Sequence, residues 1–179
     1  MVSADELNTA LQACGYSSLG YDEAQTIVKH INGSISNKNE AAMFIAQLIH
    51  ESGGFQHRVE TGRGHGYDYG STSYYGRGYL QLTHDYNYRD ASWDIFKDDR
   101  LVNNPDLVSN SVDMSMRVSV WFWETRVRPK GGPANNNFGL TTKAINGGLE
   151  PPGSSGAIRR FNMYGKVANA LGVRNPASQ

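Results

Sequence analysis

The run from Phe55 to about Gly78 constrains this chain more than any other part of it. Gly62, Gly64, Gly66, Gly70, Gly76 and Gly78 punctuate a stretch rich in Tyr and Ser, and no helical or strand period runs through it. Apolar stripes at helical spacing stand on both sides. A long aperiodic segment inside a compact domain is uncommon, and where it occurs it is usually functional. The chain therefore reads as a helical scaffold that holds a long ordered loop, with at most a short hairpin around Tyr79 to Thr83.

The scaffold is marked by start and stop signals. Ser3-Ala4-Asp5-Glu6 is a capping box, followed by Leu7, Ala10, Leu11 and Cys14 at helical spacing up to Gly15. A second helix starts near Asp22 and runs through Ile27, Val28 and Ile31 to Gly33. Asn37 with Glu40 opens a third, whose stripe of Ala41, Phe44, Ile45, Leu48 and Ile49 should stop at Gly53-Gly54. Helical pattern resumes after Asn104-Pro105-Asp106, with Met114, Val118, Trp121 and Phe122 on one face. Residues 129 to 138 read as a loop, a short helix leads into Ile145-Asn146-Gly147-Gly148, and a last helix runs from about Ser154 to Gly172. The expected fold class is α-rich, α+β with minimal sheet, in a single domain over 1–179.

Composition narrows the function. Lys+Arg 17 against Asp+Glu 17 in 179 residues argues against a net-basic nucleic-acid binder and an acidic disordered tail. A domain of this size buries roughly 70% of its unfolded surface, enough for a core without staples. One cysteine, Cys14, excludes an internal disulfide framework and a cysteine-based zinc site, and its apolar helix face makes it a core residue. No stretch approaches the roughly 20 apolar residues of a membrane span, and the first residues carry no basic and apolar secretion signal.

Glu51 is the most informative side chain. It lies seven positions after Phe44 and three after Leu48, so it continues the apolar stripe of its helix. It also sits in the last turn, where the helix dipole disfavours a negative charge. Burial and dipole both raise a carboxyl pKa, as a general acid near neutral pH requires. Glu60 follows nine residues later in the glycine-rich loop, flanked by Arg58 and Arg63, either of which would keep it ionised. Two carboxylates in opposite environments suit the acid/base pair of glycoside hydrolysis. A lone Glu at a helix end is ordinarily a solvated surface residue, and the pairing with the loop is what lifts this one above that. His50-Glu51 also resembles the opening of the zinc motif His-Glu-x-x-His. Position 54 is Gly, however, and the other histidines show no ligand spacing, so no metal is expected.

Several blocks together resemble glycoside hydrolase family 19, which holds plant-type and bacterial chitinases and some endolysins. They are His50-Glu51-Ser52-Gly53-Gly54, the run from Tyr74 to Thr83, Tyr86-Asn87-Tyr88, and Asn104-Pro105-Asp106-Leu107-Val108. Trp121-Phe122-Trp123, Phe138-Gly139-Leu140-Thr141-Thr142, the run from Ile145 to Glu150, and Arg160 with Phe161 and Tyr164 follow in order. The resemblance covers about residues 40 to 173, roughly three quarters of the chain.

It implies a lysozyme-like, two-lobed, mostly helical domain with a central substrate cleft, and an inverting mechanism. Residue by residue, it implies Glu51 as general acid, Glu60 as general base and Thr83 as the hydroxyl that holds the attacking water. Gln81, Tyr86, Asn87 and Asn146 carry over as sugar-binding residues, with Glu150 and Arg160 as a polar network supporting the acid. No cofactor is implied, and the partner is a polysaccharide, chitin or its oligomers, with no nucleic acid or membrane and a monomeric enzyme. The implied substrate places the enzyme on extracellular polymer.

The chain also departs from the family. It has one cysteine where plant members carry several disulfides. The segment from Trp123 to Phe138 is short, no chitin-binding module precedes the domain, and Thr61-Gly62-Arg63-Gly64-His65-Gly66 is unlike the family's loop. The leading expectation is an endo-acting chitinase cutting β-1,4 bonds between N-acetylglucosamine units. A lysozyme-like endolysin acting on peptidoglycan, and an inactive chitin-binding lectin, stand as alternatives.

Overall fold

A computed structural model describes residues 1–59, 68–69 and 72–179, with backbone alone at 68–69 and 72–73. Eight α-helices appear among them: α1 (Ala4–Ala13), α2 (Tyr21–Ser34), α3 (Lys38–Ser52), α4 (Asp85–Phe96), α5 (Arg100–Asn103), α6 (Val112–Phe122), α7 (Phe138–Asn146) and α8 (Ser155–Ala170). A two-residue ribbon, β1 (Asp68–Tyr69) against β2 (Thr72–Ser73), is the sheet among the described residues. The α-rich class with minimal sheet is thus the observed one.

The start signals hold the helices as their chemistry requires. Ser3 accepts from the Glu6 backbone N–H while Glu6 accepts from that of Ser3. Asn37, Ser111, Asn137 and Ser154 each accept the N–H three residues on and open α3, α6, α7 and α8. At the other end of α3, Gly53 is left-handed at φ 59° and closes the helix. Gly54 follows at φ 72°, and a β-carbon there would stand 2.6 Å from the Tyr16 ring, so only glycine lets the chain pass.

Two hydrophobic cores form. The larger gathers α1, α2, α3 and α8, with Met116, Trp123, Val127, Phe138, Phe55 and Tyr79. α3 is its centre: every residue from Ala41 to Ile49 is buried, because α7 and α8 cover the faces that the apolar stripe leaves. The smaller core joins Tyr74, Leu82, Tyr88 and Ala91 to Leu101, Val108, Val118 and Trp121. α6 feeds both, and Phe122 packs against each. These two cores are the two lobes.

The structure differs from expectation in four places. α4 stands where no helix was expected. Its N-cap, His84, is left-handed at φ 70° and makes no capping bond, so no start signal precedes it. After Phe122 the helix widens into one π-type turn, Trp123–Val127. Around Tyr79 the chain folds back through a single Arg77–Leu82 bridge closed over Gly78–Gln81, and the paired strands stand at 68–69 and 72–73 instead. Cys14 caps α1 half-buried at the edge of the core, and burial raises its thiol pKa.

Candidate active site

Four elements meet around Arg160. This residue lies on α8 and is 1% exposed, so its charge needs partners. Its Nε donates to Glu150 Oε2 at 2.5 Å, Nη1 to Gln47 Oε1 at 2.7 Å and Nη2 to Glu51 Oε1 at 2.6 Å. Gln47 and Glu51 are one turn apart on α3, and Glu150 comes from the turn between α7 and α8. A β-carbon at Gly156, in the first turn of α8, would lie 2.6 Å from Glu150 Cδ. Glycine there is what lets the carboxylate reach Arg160.

The same cluster sets three proton affinities apart. Burial raises the Glu51 carboxyl above its ordinary value. The Arg160 charge and hydrogen bond pull it down without cancelling that, and Glu150 pushes it up again. Burial also acts on Glu150, but Arg160, His50 and the Asn146 side chain outweigh it and hold that carboxyl low. His50 falls to about 4 through burial and the charges of Arg160 and Arg159, against the pull of Glu150. Its Nε2 lies 3.9 Å from Glu150 Oε1, yet at neutral pH the ring is uncharged and the contact is no ion pair. The site thus holds one carboxyl biased toward its acid form beside one held as carboxylate.

A second group lies on the turn that carries Gln81 and Thr83. The segment after α3 ties this turn to the Glu51 helix: Gly78 N–H donates to Arg58 O at 2.8 Å, Val59 bridges Arg77, and the Phe55 and Tyr79 rings meet edge-on at 5.1 Å. Arg77 is buried, bonded to the Tyr88 hydroxyl and Asp106, with its guanidinium over the Tyr75 ring. It holds the turn in place. Gln81 donates to Gly78 O at 2.8 Å, and Asn87 donates to Thr83 O at 3.0 Å while Arg126 reaches its Oδ1 at 3.4 Å. Asn87 is therefore nearly buried and engaged at both ends. Tyr86 is half-exposed, with its ring stacked on His84 at 5.4 Å. Phe55, Gln81 and His84 all sit in the left-handed region, each at a cost of about 1–2 kcal/mol. Strain held in one place is a feature of functional sites.

The expected residues fall into these two groups. Glu51, Glu150 and Arg160 are bonded together, and Asn146 joins them through Glu150. Thr83, Gln81, Tyr86 and Asn87 form the second group, on the turn and the start of α4. Glu60, with Arg63 and the loop from Thr61 to Gly66, lies outside the described residues. Gln47, Thr141 and Thr142 were missed. A glutamine inside the apolar stripe, one turn before Glu51, was the available signal. Among the described residues no group of three His, Cys, Asp or Glu side chains converges to hold a metal ion.

Known proteins with these features can now be compared. The sequence model of the family described as Chitinase class I matches residues 67–173. An endochitinase of Arabidopsis thaliana is 37% identical over 144 residues, 76% of this chain and 50% of that protein. Acidic endochitinase SP2 of Beta vulgaris is 36% identical over 154 residues, 78% of this chain and 52% of that protein. The chain spans about half the length of these relatives. Among solved structures, the class IV family 19 chitinase from Zea mays superposes with a TM-score of 0.78 at 27% identity, covering 98% of this chain and 94% of that one. A bacterial family 19 chitinase gives 0.77 at 28% identity, covering 99% and 98%. The helices, their lysozyme-like arrangement and the matched sequence agree: the chain belongs to glycoside hydrolase family 19.

Proposed function

We propose that the chain is an endo-acting chitinase that hydrolyses β-1,4 bonds between N-acetylglucosamine units with inversion, working as a single catalytic domain of one chain over 1–179. One observation carries this reading: Glu51 lies in the last turn of a helix buried from Ala41 to Ile49, its carboxyl is held toward the acid form by burial, and Arg160 fixes its direction. In the reaction Glu51 gives its proton to the glycosidic oxygen as the bond to the anomeric carbon breaks. A water on the opposite face of the ring attacks that carbon, and Glu60 takes its proton. Thr83 holds the water. The two carboxyl groups need about 6.5–9.5 Å between them to admit it. Gln81, Tyr86 and Asn146 contact the sugars, while Asn87 steadies the carbonyl of Thr83. Glu150 stays ionised and keeps Arg160 aimed. Relatives named endochitinases support the substrate class. The matched segment 67–173 includes neither Glu51 nor Glu60, so the role of Glu51 rests on local sequence and geometry and that of Glu60 on sequence resemblance alone.

The test compares the wild type with Glu51→Gln on soluble chitin oligomers and, separately, on purified peptidoglycan, with products resolved by anomer at once after cleavage. The expected result is α-anomeric products from the oligomers, with kcat falling by about 10²–10⁴-fold in the variant. Because Glu51 is raised, its stability contribution is lost as pH rises through its folded pKa, so removing the charge should leave the melting point at pH 7 unchanged or higher. Cleavage of peptidoglycan alone would replace the substrate and keep the roles. Binding of chitin without cleavage by the wild type would overturn the catalytic assignment.

A further inference from the structure

Arg160 has a third partner that carries no charge. Gln47 is fully buried in the middle of α3, a position where an apolar residue would cost nothing. Its Oε1 accepts from Arg160, and its Nε2 donates to Thr141 Oγ1 at 3.0 Å and to Thr142 Oγ1 at 3.1 Å. The direction of this amide is forced. Thr141 donates its own hydroxyl proton to Phe138 O at 2.6 Å, so its oxygen can only accept from Gln47. Turning the amide over would aim N–H at a guanidinium and leave carbonyl oxygen facing a hydroxyl already committed. Three of the side chain's four hydrogen-bonding directions are used.

We propose that Gln47, locked by Thr141 and Thr142 of α7, is a positioning residue for the acid, aiming Arg160 at Glu51 while adding no charge that would compete for the guanidinium. This rests on the reading of Glu51 as the acid. The guanidinium is planar, and its edge toward Glu51 is fixed only if its other corners are held. Glu150 holds one corner and Gln47 another. Neutrality at 47 matters as much as the bond. Among the described residues Arg160 is the one cation bonded to Glu51, shared with Glu150. His50, uncharged at neutral pH, and Arg159 lie beyond the pair. From α7 the two hydroxyls reach Gln47 and the uncharged Asn146 side chain reaches Glu150. A carboxylate in place of the amide would draw on the same cation and stand as a like charge near Glu51.

Two readouts test this. One is the pH profile of kcat and KM on chitin oligomers. The other is the carbon-13 titration of Glu51 in protein labelled at the glutamate carboxyls, with the signal assigned by its absence in Glu51→Gln. For Gln47→Glu, the Glu51 titration and the alkaline limb of kcat should both move up by about one pH unit. For Gln47→Met, kcat should fall by about 10–100-fold with KM little changed, and Thr142→Val should show a smaller loss of the same kind. A residue that only fills the core would lower the melting point and leave the Glu51 titration where it is. That result in folded Gln47→Glu overturns the proposal. If Gln47→Glu does not fold, an unmoved titration and unchanged kcat in Thr142→Val overturn it. A wild type that cuts no glycan would sink the functional reading, while the Glu51 titration would still decide the role of Gln47.

Discussion

Around Glu51, side chains from α3, α7, α8 and the turn before α8 converge on one buried guanidinium. Around Thr83, the chain keeps its shape through backbone bonds, left-handed residues and the ties of Arg77, and Tyr86 stays half in solvent. On the proposed function, the difference follows from what each group has to do. A proton affinity is set by fixed charges in a place that water cannot screen, so the acid must be built into a core. On that function the second group is a sugar-binding surface, which must stay open to a polymer, so its precision comes from the backbone. The two groups should therefore fail in different ways when altered.

The largest contrast is expected from Arg160→Met. It leaves Glu51, Glu150 and the Gln47 carbonyl without their shared donor. Urea unfolding at pH 7 should show a loss of about 3–5 kcal/mol together with loss of hydrolysis. The deficit should shrink in acid, where the abandoned carboxyls take up protons. A loss below about 1 kcal/mol at pH 7 would mean the cluster is solvated and the contrast is false.

A middle-sized effect is expected at His50. Its folded pKa is about 4, below the unfolded value near 6.5, so between those limits the unfolded chain binds the extra proton. Stability is present above the upper limit and drains away as pH falls toward the lower one. Replacing the ring by Gln should flatten that part of the melting curve against pH by on the order of 5 °C. The same slope in both proteins would remove His50 from the buried group.

The smallest effect on folding belongs to the open group. For Tyr86→Ala, stability should change by no more than about 0.5 kcal/mol. KM for chitin oligomers should rise about five-fold at nearly constant kcat, as expected for lost uniform binding. An equal fall in kcat with no change in KM would move Tyr86 into the chemistry.

Much of the scaffold could be read from local signals, since Ser3, Asn37 and Ser154 each sit within three residues of the group they cap. α4 could not. Tyr88, Ala91 and Ile95 hold helical spacing, but charged residues crowd between them, and its first residue follows a strained His84 with no cap. At the site, Glu51 was legible from its place on the stripe, and Arg160 only through the family pattern. The bond between them spans 109 positions, and no local rule reaches that far. Gln47 is instructive for the opposite reason. Seen alone, a glutamine in an apolar stripe looks like a flaw. Its purpose appears once α7 and α8 bring two hydroxyls and a guanidinium to its ends.

α6 contributes Met116 to one core and Val118 and Trp121 to the other, with Phe122 against both. Such a helix works as a shared beam. Parting the lobes would strip apolar cover from both cores at once. On the proposed function, a polysaccharide would then meet two lobes tied together by this helix. Any adaptation falls to the turns on either side of it, and evolution can retune those turns without touching the beam.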